Sequence, residues 1–265
     1  MDTSLLSKKF ELIGARVQVT PFNVNRFNRD NAGIDIRTDR KGEYFDIRVA
    51  NDDEADYEVI DVRTDMRHLL LMARRDTGKQ KFLCGHDERH WFVCAVPGDS
   101  VSNVVNAMEA LQPREVKALV TRRVKRVKDR FRRKNKAFVR QGEWFFVPQP
   151  VIVSPVRVLR NEPLSRGGGS KSHMCQFLYR VGGQIVWVCR QHPQGVLEHQ
   201  YRSILLTVRG AKKWDWRQMQ REPSVYVRGR VWHPDHKTIV LDGWHRVFMN
   251  TEREAPGALS VVFLD

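Results

Sequence analysis

The 265-residue sequence predicts an α+β fold: two β-rich lobes, mainly antiparallel, joined by or packed on a long basic helix. Three observations predict it. Apolar and polar residues alternate with period two in short runs on both sides of the middle of the chain, as half-buried strands do. One segment between those runs steps its apolar residues at helical spacing. The same segment carries most of the net charge. The implied organisation is an N-terminal β-rich lobe over 1–98, a helical segment over 99–140 with the basic helix at 114–138, and a C-terminal β-rich lobe over 141–265.

In the first lobe, FELIGARVQVTPF, GIDIRTDRKGEYFDIRVA and EVIDVRTDMRHLLLMARR read as strands, and ARRDTGKQKFLCGHDERHWFVCAVP as two or three more joined by turns at Asp76-Thr77-Gly78 and Gly85-His86-Asp87-Glu88. The acidic stretch 51–56 connects two of them. Helix then begins, with Asp99 or Ser100 as cap, and Gln112-Pro113 interrupts it because the residue before proline disfavours α geometry. Pro113 suits the first turn of the next helix. There Val116, Val120, Val124, Val127 and Phe131 form one face, at steps of four, four, three and four. Asn135 and Gly142 are stop signals. In the last lobe, EWFFVPQPVIVSPVRVLR reads as edge or bent strands, since proline donates nothing to a ladder. Gly182-Gly183 between two apolar runs predicts a hairpin. A short helix (VLEHQYRSILL), a polar stretch and three further strand-like runs, the last LSVVFLD, follow.

The chain has 46 Lys and Arg against 31 Asp and Glu, a formal +15. An excess of this size points to a polyanionic partner. It is unevenly placed. Residues 1–113 sum to −3, residues 114–140 to +11 and residues 141–265 to +7. Arg122, Arg123, Lys125, Arg126, Lys128, Arg130, Arg132, Arg133, Lys134 and Lys136 surround the apolar stripe, with only Glu115 and Asp129 as acids over 114–140. Like charges three and four apart repel on a helix, so a phosphate backbone is the partner that best explains them. Further on, Lys212 and Lys213 adjoin Trp214 and Trp216, a mixture of cations and rings suited to phosphates and unstacked bases. The spacings of a helix-turn-helix or a zinc finger are absent, which favours RNA or single-stranded DNA over duplex readout. The alternative is an interaction protein whose basic helix docks on an acidic partner or on the acidic stretch 51–56.

Six of nine histidines fall after residue 172. His173, His233, His236 and His245 are candidate catalytic groups, with Lys171 to steady phosphorane charge: a phosphodiester-cleaving or phosphoryl-transfer reading. A divalent metal on His233, Asp235 and His236 is the other use of that turn, since neutral imidazole suits Zn, Ni or Fe. The loop Gly167-Gly168-Gly169-Ser170 offers backbone N–H groups to a phosphate, although its spacing is not that of a Walker motif. His86 and His90 form a second group, expected in a solvated turn. Cys84, Cys94, Cys175 and Cys189 lack zinc-ribbon spacing and read as buried thiols of a reducing compartment. The start has no apolar signal core, and no run reaches the ~18 apolar residues of a membrane span. An intracellular, cytoplasmic protein without membrane partner is the expectation.

Overall fold

The computed structural model describes residues 3–22, 33–50, 56–75, 78–98, 100–165 and 171–254, in two compact units. One runs to Lys136 and takes in 249–254; the other is Ala137–Phe248. Among the described residues no helix is long and apolar enough to cross a membrane.

The first unit opens with helix α1 (Thr3–Glu11) and strand β1 (Val17–Phe22). The sequence predicts a strand from Phe10. Leu6, Phe10 and Ile13 are buried together at steps of four and three, so a helical period wins there. β2 (Gly33–Asp39) and β3 (Gly42–Ala50) form a hairpin, and β1 joins β3 in parallel. β4 (Asp56–Arg63), β5 (His68–Arg75), β6 (Gly78–Asp87) and β7 (His90–Val96) make an antiparallel meander. The continuous apolar run of β5 is explained by burial on both faces. Leu69, Leu71 and Ala73 join the core under α1, while Leu70 faces helix α2 (Val104–Ala110) with Val104, Ala107 and Leu111. The cap of α2 is Asn103, whose side chain accepts from the Asn106 N–H at 2.8 Å. Ser100 is not the cap, and Asp99 lies outside the described residues. Asp61 accepts the Val104 N–H at 2.8 Å and places a carboxylate at the positive end of α2. The chain returns at 251, where Thr251 donates from its N–H to Leu111 and from its hydroxyl to Ala110.

The expected long basic helix is not formed. It is two pieces, α3 (Arg114–Arg123) and α4 (Val127–Arg130), followed by irregular chain. Val116, Val120 and Val124 are buried as the stripe predicts, but Val127 is 58% exposed. Val124 and Arg126 adopt extended backbone, which ends one helix before the next begins. The physical reason is that the stripe stops finding a surface to cover after Val124. The cations beyond it repel one another and contribute nothing to hold one helix together.

The second unit contains β8 (Val139–Gln141), β9 (Trp144–Pro148), β10 (Leu159–Leu164), β11 (His173–Val181), β12 (Gln184–Cys189), β13 (His192–Val196), helix α5 (Glu198–Thr207), β14 (Arg217–Arg221), β15 (Ser224–His233) and β16 (His236–Met249). A six-stranded sheet has the order β10-β11-β15-β16-β9-β8, and a three-stranded one β13-β12-β14. The Gly182-Gly183 hairpin is therefore a misreading: β11 and β12 belong to different sheets. Both glycines have positive φ, and they carry the chain from one sheet to the next. β14 lies in the stretch the sequence leaves as merely polar. The run LSVVFLD lies outside the described residues.

Candidate functional site

Two features of the structure bear on function, one in each unit. The first is the basic segment. Arg122, Arg123, Lys125, Arg126, Lys128, Lys134 and Lys136 are all exposed, and no ion pair among the described residues engages them. Three of the expected phosphate contacts are partly used inside the unit. Arg133 binds Asp87 at 2.7 Å and also Glu88, in the turn between β6 and β7. Arg132 pairs with Asp129 at 3.1 Å, and Arg130 donates to the Val124 carbonyl at 3.3 Å. Of the acidic stretch 51–56, one expected docking site for this segment, 51–55 lie outside the described residues, whereas Arg133 pairs with acids of a turn for which the sequence predicts solvation. The His86/His90 turn is accordingly less free than expected. His90 Nδ1 lies 2.7 Å from Glu43, and His86 packs edge-on against Trp91. Burial and then the charge of Arg67 push His86 below the ordinary imidazole range.

The second feature is a histidine cluster at one end of the six-stranded sheet. His173 is the first residue of β11, His233 the last of β15 and His236 the first of β16. Antiparallel pairing sets Met174 opposite Trp232, and His233 opposite His236, so the three meet across neighbouring strands. One nitrogen from each ring lies within 4.8 Å of one from each of the others. Ring centroids are 4.3 Å apart for His173 and His233, 5.5 Å for His173 and His236, and 4.8 Å for His233 and His236.

His173 is 1% exposed, and neither of its ring nitrogens has a hydrogen-bond partner among the described residues. Leaving a buried polar atom unsatisfied costs about 1–3 kcal/mol, so such a ring needs an explanation. Burial, reinforced by His233 and His236, holds His173 down to about 3, and the ring is neutral near pH 7. His233 Nδ1 accepts the Asp235 N–H at 3.1 Å. Trp144 packs its edge toward His173, with centroids 6.4 Å apart. The turn between β8 and β9 comes over the cluster at Gly142, φ +56°. A Cβ at that position would sit 2.9 Å from His236 Nε2 and 3.3 Å from His173 Nε2.

The fourth expected histidine does not join. His245 stands opposite Val227, nine residues along β16 from His236, which at roughly 3.3 Å per residue is on the order of 25 Å or more away. Its Nδ1 lies 2.8 Å from the Gly243 carbonyl. Lys171 Nζ donates to both carboxylate oxygens of Asp235, at 2.9 and 3.0 Å. Lys171 is exposed and ion-paired with that carboxylate. The glycines at 167–169 and Ser170 lie outside the described residues. Cys175 is buried with its Sγ 4.0 Å from the His173 carbonyl, and its thiol is pushed up to about 12, so it is no nucleophile. All four cysteines are free thiols.

Trp214 and Trp216 belong to a half-buried aromatic group with His192 and Tyr201, and Tyr201 stacks on Trp187 at 4.2 Å. Trp216 donates its indole N–H to the Ala211 carbonyl. Their faces are largely spent on each other, while Lys212 and Lys213 are exposed beside them. Gly142 and Trp144 are the site residues that sequence reading missed. Gly142 reads equally well as a helix stop, and no local pattern distinguishes the two uses. Comparison with known protein families, curated proteins and solved structures finds no match to this chain.

Proposed function

We propose that this chain is a nucleic-acid-binding protein that grips the phosphate backbone of RNA or single-stranded DNA through the segment 122–136. The observation that carries the reading is the exposure of seven cations there with no acidic partner among the described residues. A surface segment stabilised by its own chain would spend those charges on carboxylates, as Arg133 does. Exposed and unneutralised, they repel one another, and a polyanion that releases its counterions relieves that repulsion. Each phosphate of a single strand contacted lowers the slope of log K against log salt by about 0.7; seven contacts amount to roughly a 10³-fold loss between 50 and 200 mM salt. The test is anisotropy of labelled single-stranded RNA and DNA over that range. A steep salt dependence, largely lost in the Arg122/Arg123/Lys125/Arg126→Glu variant, is expected. Affinity that is flat in salt, or unchanged in the variant, overturns the reading in favour of an acidic protein partner.

A second reading, phosphodiester cleavage in the other unit, is favoured by the convergence of His173, His233 and His236. Burial keeps the His173 ring neutral and makes it both a poor acid and a poor base near pH 7, so it offers a lone pair rather than a proton. Incubation of RNA and DNA with the wild-type protein and with His236→Ala decides it. Cleavage that persists in the variant removes the cluster from the chemistry.

A further inference from the structure

We propose that His173, His233 and His236 bind one divalent transition-metal ion of the zinc class, with a fourth coordination position open to water or a ligand. The site goes beyond nucleic-acid binding and beyond hydrolysis, and it is tested with the metal alone.

The donors are already assembled. Tetrahedral zinc with nitrogens at 2.0–2.1 Å sets those nitrogens about 3.3 Å apart. Here they lie within 4.8 Å of one another, so closing the widest gap takes up to about 1.5 Å, which turning the rings supplies. The backbone that holds them is rigid: three strand ends, two of them joined in one hairpin. His173 gives the strongest argument. A fully buried imidazole with both nitrogens unpartnered among the described residues is a poor core residue, and Leu or Phe would serve better in that place. Coordination satisfies one of those nitrogens and gives the ring its purpose.

The surroundings select the ligand. Among the described residues no carboxylate or thiolate groups with the three imidazoles; Asp235 is paired with Lys171, and Cys175 turns its sulfur to a backbone carbonyl. Three imidazoles suit Zn, Co, Ni or Cu and not the hard ions Mg or Ca. Three protein ligands is also the number that leaves zinc an exchangeable position. Gly142 keeps that position clear. Its absent Cβ would fall in front of the Nε2 atoms of both His236 and His173, where the ion and its open ligand belong. One existing contact must yield. The Asp235 N–H donates to His233 Nδ1, which leaves the neutral ring's proton on Nε2. Coordination through Nε2 moves that proton and gives up the bond, so the Asp235 amide resonance reports metal uptake.

The experiment is Co²⁺ titration of the full chain, stripped with chelator, followed by visible absorption and then by Zn²⁺ competition. One Co²⁺ per chain with the intense bands of four-coordination, displaced by Zn²⁺, is expected, together with a shift of the Asp235 amide. Losing a group that merely supports a ligand costs 10–100-fold in affinity. His236→Ala and His233→Ala should therefore each weaken Zn²⁺ by at least ~100-fold, and Gly142→Ala should weaken it while the exposed His199→Ala does not. Circular dichroism checks that each variant is folded. Should an alanine variant unfold, the wild-type titration decides alone. Less than one Co²⁺ per chain, or the weak spectrum of six-coordination, overturns the site, as does Zn²⁺ affinity unchanged in folded His236→Ala and His233→Ala.

Discussion

Arg16 clamps Asp39 through two guanidinium nitrogens at 2.9 and 2.7 Å, and that hydrogen bond holds Asp39 at about 2. The folded value lies below the unfolded one of about 3.9, so the pair's contribution is complete above pH ~4 and is lost as pH falls toward 2. The pair is exposed and its net worth small, so the titration itself is the sensitive observable. The Asp39 carboxyl carbon should titrate near 2 in the wild type and within the usual aspartate range in Arg16→Met; a midpoint unmoved by that change removes Arg16 as the cause. Burial pushes the Cys84 thiol far up, and Cys175 to about 12. Because the thiolate is the reactive form, both should resist an aromatic disulfide reagent in the folded chain and react on unfolding. Gly85 shows why residue type alone misleads. Read as a turn glycine, it lies inside β6, where a Cβ would stand 2.7 Å from the His68 ring. Gly85→Ala should lower stability by about 1–3 kcal/mol in urea, as overpacking does. A neutral result would mean that the imidazole moves aside freely.

At the scale of the element, local pattern is reliable where one face is buried and unreliable where tertiary packing chooses the boundary. The hairpin β2–β3 and the strands of the meander β4–β7 are legible as short apolar runs separated by turn residues, whereas register is not: β5 is apolar on both faces, and β4 is bulged against it between Val59 and Asp61. Helix α1 is not, because an apolar spacing of four and three over so short a run resembles a strand as much as a helix. The basic segment shows a third case. Its stripe correctly predicts Val116, Val120 and Val124 inside, but the helix lasts only while that stripe has something to cover. The start of α2 is set by Asn103, so Asn103→Ala should cost about 1 kcal/mol by urea unfolding, and Asn103→Asp should retain most of it. If the alanine change is silent, the Asp61 contact to Val104 is sufficient to hold that terminus.

For the whole molecule, the segregation of charge is the property with the most consequence. Arg122, Arg123, Lys125 and Arg126 are exposed and make no ion pair among the described residues, so reversing them to Glu should change the unfolding midpoint by little, within about 0.5 kcal/mol per site, while most of the polyanion binding is lost. A variant that unfolds instead would show that those residues hold the first unit together. The position of the charge, the dominance of strands, the lack of metal-ligand spacing among the cysteines and the gathering of histidines toward the C-terminal end can all be read from the residues in order. Periodicity, composition and charge are local, and they survive without knowledge of the fold. Which histidines meet depends on the fold. His173 is sixty residues from His233, and they become neighbours because β11 pairs with β15, while His245, on the same strand as His236, is carried away by the length of β16. Strand order and register place residues, and neither is written in any local pattern. Long-range pairing is chosen by the burial of whole faces, not by the few side chains that end up sharing a site.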